Sequence, residues 1–166
     1  LAFTSRVRDE AYEEEDEHKR KPRRFTRLLQ KLDSVGWIGD RRQHVFVVDL
    51  DGSEARQVTD GDCEDGAPSW SPDGTQLIFG ATRGERWDAE LINRLYVVDA
   101  AGGEPTQLTD DDGSYDAPVF SPDGARIAYR FSPEDGTSPH HTQVGVMNAD
   151  GSGATLLTTS LDRQCG

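Results

Sequence analysis

The sequence predicts an all-β chain: a partial β-propeller of about three four-stranded antiparallel blades, with a charged loop insertion near the N-terminus. Three observations carry that expectation. The chain repeats itself at an interval of 50 residues, turn residues divide each repeat into four short strands, and the third strand of each repeat is apolar on consecutive positions. Sliding the sequence by 50 lays VFVVDLDGSEARQVTDGDCEDGAPSWSPDGTQLIFG (45–80) on LYVVDAAGGEPTQLTDDDGSYDAPVFSPDGARIAYR (95–130), and a third copy starts at Val144 as VGVMNADGSGATLLTTS, at an offset of 49.

Within a repeat the elements follow in order. Ala67 to Trp70 forms a first strand, after which Ser71-Pro72-Asp73-Gly74 places Pro second and Gly fourth in a type I turn, where each is favoured. Gln76 to Ala81 is the second strand and Arg94 to Asp99 the third, and the turn Ala100-Ala101-Gly102-Gly103 leads to a fourth strand from Pro105 to Thr109. In the preceding copy Asp51-Gly52 stands at that turn, a strong short-range hairpin signal. The unbroken apolar run Val45-Phe46-Val47-Val48 suits a strand covered on both faces, which a radial stack of blades provides. Helical repeats of this length would show a period of about 3.6 residues, whereas these segments show Pro, Gly and β-branched residues.

The organisation expected along the chain is therefore as follows. Residues 1–8 read as the end of a strand of a preceding blade, since Leu1-Ala2-Phe3-Thr4-Ser5 resembles Leu77 to Thr82. Residues 9–24 are a charged insert, and 25–59 a partial blade with Val35 to Ile38 and His44 to Val48 as strands around Gly39-Asp40. Residues 67–109 and 117–158 are blades, and 159–166 the start of a truncated one. A chain of 166 residues at 50 per blade holds about 3.3 blades, and propellers close with about 4 to 8. A segment of a longer polypeptide is expected.

Composition excludes several classes. With 31 acidic against 18 basic side chains, a net charge of -13 and no basic stripe with interleaved aromatics, nucleic acid is not an expected partner. No apolar run approaches the roughly 18 residues of a membrane span, and Leu1-Ala2-Phe3 is too short for a signal-peptide core, so no membrane partner and a cytoplasmic location are expected. Cys63 and Cys165 lie far apart without a CxxC or a histidine at metal spacing, and are expected as free thiols.

Residues 9–17 carry seven acids and 19–27 six bases. The pairs Glu15–Lys19, Asp16–Arg20 and Glu17–Lys21 would support a short helix ending before Pro22, while such charge blocks equally suit a solvated loop. Arg23, Arg24 and Arg27 are candidates for gripping a substrate carboxylate or a neighbouring domain.

Asp60 to Gly66 superficially resembles a calcium loop, but its glycine falls one place late and Ser71 stands at the twelfth position, so an acidic turn is expected there, as at Asp110 to Gly113. There is no phosphate loop, no HExxH and no G-x-S-x-G; Gly151-Ser152-Gly153 falls where the other copies have a hairpin turn. His18, His44, His140 and His141 lie in loops or at strand edges without a Ser and Asp context, and Trp37, Trp70 and Trp87 read as packing residues. No residue is therefore assigned as catalytic, cofactor-binding or metal-binding, and no cofactor is expected.

The aromatic residue before SPDG (Trp70, Phe120), the apolar strand after it and LYVVDAAGGEPTQLT together resemble WD-repeat-like propeller blades of the TolB-like type, and equally the propeller repeats of prolyl oligopeptidase family serine peptidases. Three stretches, 23–49, 81–103 and 158–166, look like the acylaminoacyl-peptidase or dipeptidyl-peptidase branch of the latter. The resemblance implies a parent enzyme in which this propeller caps a C-terminal α/β-hydrolase domain of the same polypeptide and admits short peptide substrates while excluding folded proteins. Glu85, Glu90 and Glu134, in the longer connections, are its candidates for meeting a peptide amino terminus. The alternative is a non-enzymatic TolB-like propeller acting as a protein-binding scaffold.

Of the 18 basic residues 15 are Arg, and with so many carboxylates this composition fits a protein kept soluble in a high-salt cytoplasm. Circular dichroism against potassium chloride concentration is then expected to show the fold strengthening with salt; a salt-indifferent spectrum and melting curve would remove the argument.

Overall fold

The computed structural model describes residues 1–9, 14–16, 18–22, 24–90, 92–134 and 141–161. Three antiparallel sheets stand side by side without closing into a ring, and each corresponds to one blade. In the first, β1 (Ala2–Arg8) pairs with β4 (Arg41–Val47), Ala2 opposite Val47 and Arg8 opposite Arg41, and β4 pairs with β5 (Arg56–Gln57). Between β1 and β4 lies the insert, which carries its own two-stranded hairpin of β2 (Lys31–Leu32) and β3 (Gly36–Trp37).

This corrects two expectations. Residues 1–8 do not belong to a preceding blade: they supply the second strand of the same blade as 41–57, paired across the insert. Residues 35–38 are not a blade strand, since Gly36 and Trp37 pair only with Leu32 and Lys31. Among the described residues of 14–22 there is no helix either. Lys19 pairs with Asp16 and the Arg20 guanidinium donates to the carbonyls of Glu14 and Glu15, while Glu17 lies outside the described residues.

The middle blade is β6 (Glu64–Asp65) and β7 (Ser69–Trp70), both on β8 (Gln76–Thr82), followed by β9 (Arg94–Asp99) and β10 (Thr106–Gln107). A one-turn helix, α1 (Trp87–Glu90), sits in the β8–β9 connection. The third blade is β11 (Gly113–Phe120), β12 (Arg126–Pro133), β13 (Gln143–Asn148) and β14 (Thr155–Leu156).

Both complete blades break the first strand at the same place. Proline has no N–H for the ladder, so Ala67-Pro68 separates β6 from β7 and Ala117-Pro118 produces a bulge between Asp116 and Val119, with Ala117 at φ 48°. The first strands begin at Glu64 and Gly113, earlier than their apolar residues indicate.

Alternation along β8 explains the consecutive apolar residues. Leu77, Phe79 and Ala81 join Tyr96, Val98, Val45 and Val58 in one layer, between the first and second blades. Ile78 and Leu95 join Tyr115, Ile127, Tyr129, Phe131 and Met147 in another, between the second and third. Leu77, Ile78 and Phe79 are all wholly buried, each worth roughly 1.5–3 kcal/mol against exposure. The outward faces of the two flanking blades are open: Phe3 stacks on Phe46 at 5.7 Å yet stays 38% exposed, and Val119 is 54% exposed.

Two local devices recur. The hydroxyls of Thr59, Thr109 and Thr158 accept hydrogen bonds from the amides of Val45, Leu95 and Val144 at 2.9, 3.0 and 2.9 Å, tying each fourth strand to its third. In the SPDG turns Ser71 and Ser121 donate to Asp73 and Asp123, whose carboxylates also accept the amides of Thr75 and Ala125. Those bonds, the serine hydroxyl foremost, hold both acids below the ordinary carboxylate range. Gly74 and Gly124 close the turns at φ 71° and 72°, a region open to glycine. Among the described residues no helix is long and apolar enough to cross a membrane.

Candidate functional site

Antiparallel order sends the insert, the segment after β5 and the β8–β9 connection to one end of the stack, and charged residues gather there. Arg27 donates through Nε to Asp62 at 2.8 Å and through Nη1 to Asp88 and to the carbonyl of Glu85. Arg42 takes the other Asp62 oxygen, also at 2.8 Å, and the Leu28 amide donates to Asp88. Beneath them Trp87 is buried, with the Arg42 guanidinium 4.8 Å and the Arg27 guanidinium 5.8 Å from its ring centroid.

The insert is thus clamped onto the middle blade. Arg27, a candidate for gripping substrate, is spent on this clamp; Arg24 borders a cleft described below, and Arg23 lies outside the described residues. Two acids of the 60–66 turn are consumed in the same way: Asp62 by two arginines and Glu64 by Arg6 at 2.9 Å.

Asp65 is the centre of a buried cluster that joins two blades. Arg83, just after β8, holds both its oxygens at 2.9 and 2.8 Å, the Thr59 hydroxyl donates at 2.6 Å, and His44 Nδ1 of β4 lies at 3.2 Å. Burial alone would push the Asp65 carboxyl up, but the hydrogen bonds from His44, Arg83 and Thr59 and the Arg83 charge outweigh it and hold the group below its ordinary value. Cys63, a free thiol, is pushed up to about 12 by burial and by the neighbouring Asp65 charge.

His44, Cys63 and Asp65 present potential metal-ligand atoms within 4.8 Å of one another. Their chemistry is that of a closed ion pair: Arg83 already neutralises both carboxylate oxygens, and the thiol is far from the thiolate a metal would need. The sequence reading missed this cluster and placed His44 without an acidic partner. The available signal was the departure from the repeat, since the 50-residue offset puts Tyr115 where Asp65 stands. Tyr115 instead packs in the apolar layer, 5.4 Å from Tyr129 and 4.9 Å from Phe131.

A cleft of about 610 Å³ opens between the insert and the first blade, within the range typical of small-ligand sites. Arg8 and Val7 of β1, Phe25 and Trp37 of the insert, and Asp60 are among the residues lining it. Phe25 and Trp37 stack at 5.3 Å and remain 44% and 37% exposed, with Lys31 Nζ 5.7 Å from the Trp37 ring. Trp87 and the half-buried Trp70 are packing residues as expected; Trp37 forms a wall of this opening.

The remaining candidates do not converge. Glu85 and Glu90 border a smaller depression of about 320 Å³ with Arg83 and Arg94, Glu90 lying 3.6 Å from Arg94, whereas Glu134 follows β12 and its amide bonds to Asp112. His18 sits in the turn after Asp16, and His141 lies two residues before β13. His140 and Cys165 lie outside the described residues, as do 162–166 of the expected truncated blade. Ser152 is locked in the β13–β14 turn, donating to Asp150 at 2.7 Å and accepting from Asn148 at 2.9 Å.

Stacked antiparallel sheets, three-stranded in the first blade and complete in the other two, joined by apolar layers, define the chain as a β-propeller segment. It belongs to the family of the TolB beta propeller domain, whose match spans residues 35–165. No curated protein matches it. Among solved structures, the acylaminoacyl peptidase of Pyrococcus horikoshii aligns with TM-score 0.68 at 18% identity, over 99% of this chain and 24% of that one. The putative TolB of Agrobacterium tumefaciens aligns with TM-score 0.58 at 21% identity, over 69% of this chain and 40% of that one. TolB of Acinetobacter baumannii gives 0.55 at 25% identity, over 74% and 28%. The chain therefore spans well under half the length of each.

Replacing Asp65 by Asn leaves the half-buried Arg83 against a neutral partner and is expected to cost about 2–4 kcal/mol in urea unfolding, below the cost of stranding a fully buried charge. Because the folded carboxyl sits below its unfolded value of roughly 3.9, its stabilisation is present above that pH and lost as pH falls through the lower folded value. Asp65→Asn should lack this acid limb; an unchanged pH profile would show that the Asp65 carboxylate does not stabilise the fold.

Proposed function

We propose that the chain is the substrate-gating propeller part of a serine peptidase of the prolyl oligopeptidase family. In this reading an α/β-hydrolase domain C-terminal to the chain hydrolyses short peptides by acyl transfer through serine, and the propeller acts as a steric sieve with an acidic wall. The observation that carries it is the extent of the likeness. The acylaminoacyl peptidase aligns over 99% of the chain, so the match takes in β1 and the charged insert, which precede the family match at residue 35; the two TolB structures align over 69% and 74%. The dipeptidyl peptidase 4 of Porphyromonas gingivalis aligns over 80%, with TM-score 0.54 at 20% identity.

The second reading, a non-enzymatic TolB-like scaffold that binds proteins, draws on the family match itself and on the two TolB structures. Neither reading assigns catalysis to this chain, whose sequence holds no G-x-S-x-G. The full-length polypeptide is expected to hydrolyse aminoacyl or acylaminoacyl chromogenic substrates, with loss of activity on treatment with a serine-directed inhibitor, while residues 1–166 alone show no turnover. Turnover by this chain alone, or a full-length polypeptide that stops after one or two further blades, would contradict the peptidase reading.

A further inference from the structure

We infer that the cleft between the insert and the first blade binds the C-terminal end of a short peptide, with Arg8 meeting the terminal carboxylate and the Phe25–Trp37 pair taking an aromatic last side chain. This rests on the reading of the chain as a propeller that admits short peptides, and it deepens that reading by naming where such a peptide is held. The cleft sorts its charges by itself. Arg41 is held by Asp40 at 2.9 Å, and Arg42 by Asp62 at 2.8 Å with Glu64 at 3.7 Å. Arg8, by contrast, has no ion pair among the described residues, although it lines the opening and is exposed. An unpaired guanidinium presents a planar fork of donors that fits a carboxylate with two parallel bonds.

The aromatic pair supplies the second half of the recognition. Two large rings, stacked on each other and left roughly two-fifths exposed at a cleft wall, offer an apolar platform whose coverage is favourable. Lys31 lies near the Trp37 ring at 5.7 Å, making that wall unfavourable for a cationic side chain and favourable for an uncharged one. Asp60 also lines the cleft without an ion pair among the described residues, and it suits the free ammonium of a short peptide. A ligand with one carboxylate, one ring and one ammonium matches this set; a polyanion or a polycation does not.

The test is calorimetric titration of the chain with the dipeptide Gly-Phe, its C-terminal amide and Gly-Ala, alongside Trp fluorescence in the parent and in Trp37→Phe. Gly-Phe is expected to bind saturably and to perturb Trp37 emission. Amidation of the dipeptide, or Arg8→Ala in the protein, should each weaken binding about tenfold or more, the loss typical of a charged hydrogen-bond partner. In Arg8→Ala the amide and the acid should then bind alike, and Gly-Ala and Phe25→Ala should each show the loss of the ring contact. Arg8→Ala is expected to keep the parent's cooperative thermal transition, since Arg8 makes no ion pair with the described residues. Equal binding of acid and amide to the parent protein, or no saturable binding of Gly-Phe, would overturn the proposal. Because no catalysis by this chain is involved, either result stands apart from the hydrolysis assay on the full-length polypeptide.

Discussion

A sheet that is apolar on both faces has to be covered on both, and that single requirement orders this molecule. The middle blade meets it completely: Leu77 and Phe79 of β8 look into one apolar layer and Ile78 into the other. Its neighbours meet it on one side only, leaving Phe3, stacked on the half-buried Phe46, exposed to one flank and Val119 to the other. The layers are non-directional, so register between blades needs polar contacts as well. Asp65 supplies one, receiving Thr59 and His44 from the first blade side and Arg83 from the second, with Asp65, Thr59 and His44 buried and Arg83 half-buried above them.

What was readable in the sequence follows from periodicity. Features that recur, such as the SPDG turn and the Ala-Pro break in the first strand, each present twice, and the threonine that receives a third-strand amide, present three times, announce themselves by repetition at about 50 residues. Features that occur once have no such amplification. Asp65 and Tyr115 occupy equivalent positions, yet one nucleates an ion cluster and the other fills an apolar layer with Tyr129 and Phe131. Only three-dimensional proximity brings His44, 21 positions away, to that carboxylate. The pairing of residues 2–8 with 41–47 was hidden for a related reason, because a long insert separates strands that hydrogen-bond to each other, and local pattern carries no information about partners that distant.

The charged insert shows how composition can mislead about role. Its acids and bases stand at helical spacing, yet the arginine that matters most, Arg27, works over 35 residues and more, on Asp62 and Asp88, with Trp87 beneath. In a chain of net charge -13, many arginines are committed to such pairs. The cleft inferred to hold a peptide end lies where the insert and the first blade leave a gap lined by aromatic rings and Arg8.

Native-state hydrogen exchange tests most directly whether two-sided covering governs this fold. The amides of β8 and β9 should exchange most slowly, at rates set by the deepest opening of the molecule, while β1 of the first blade and β13 and β14 of the third exchange faster because one of their faces is bare. Protection in β1 and β4 equal to or greater than that in β8 and β9 would contradict the account.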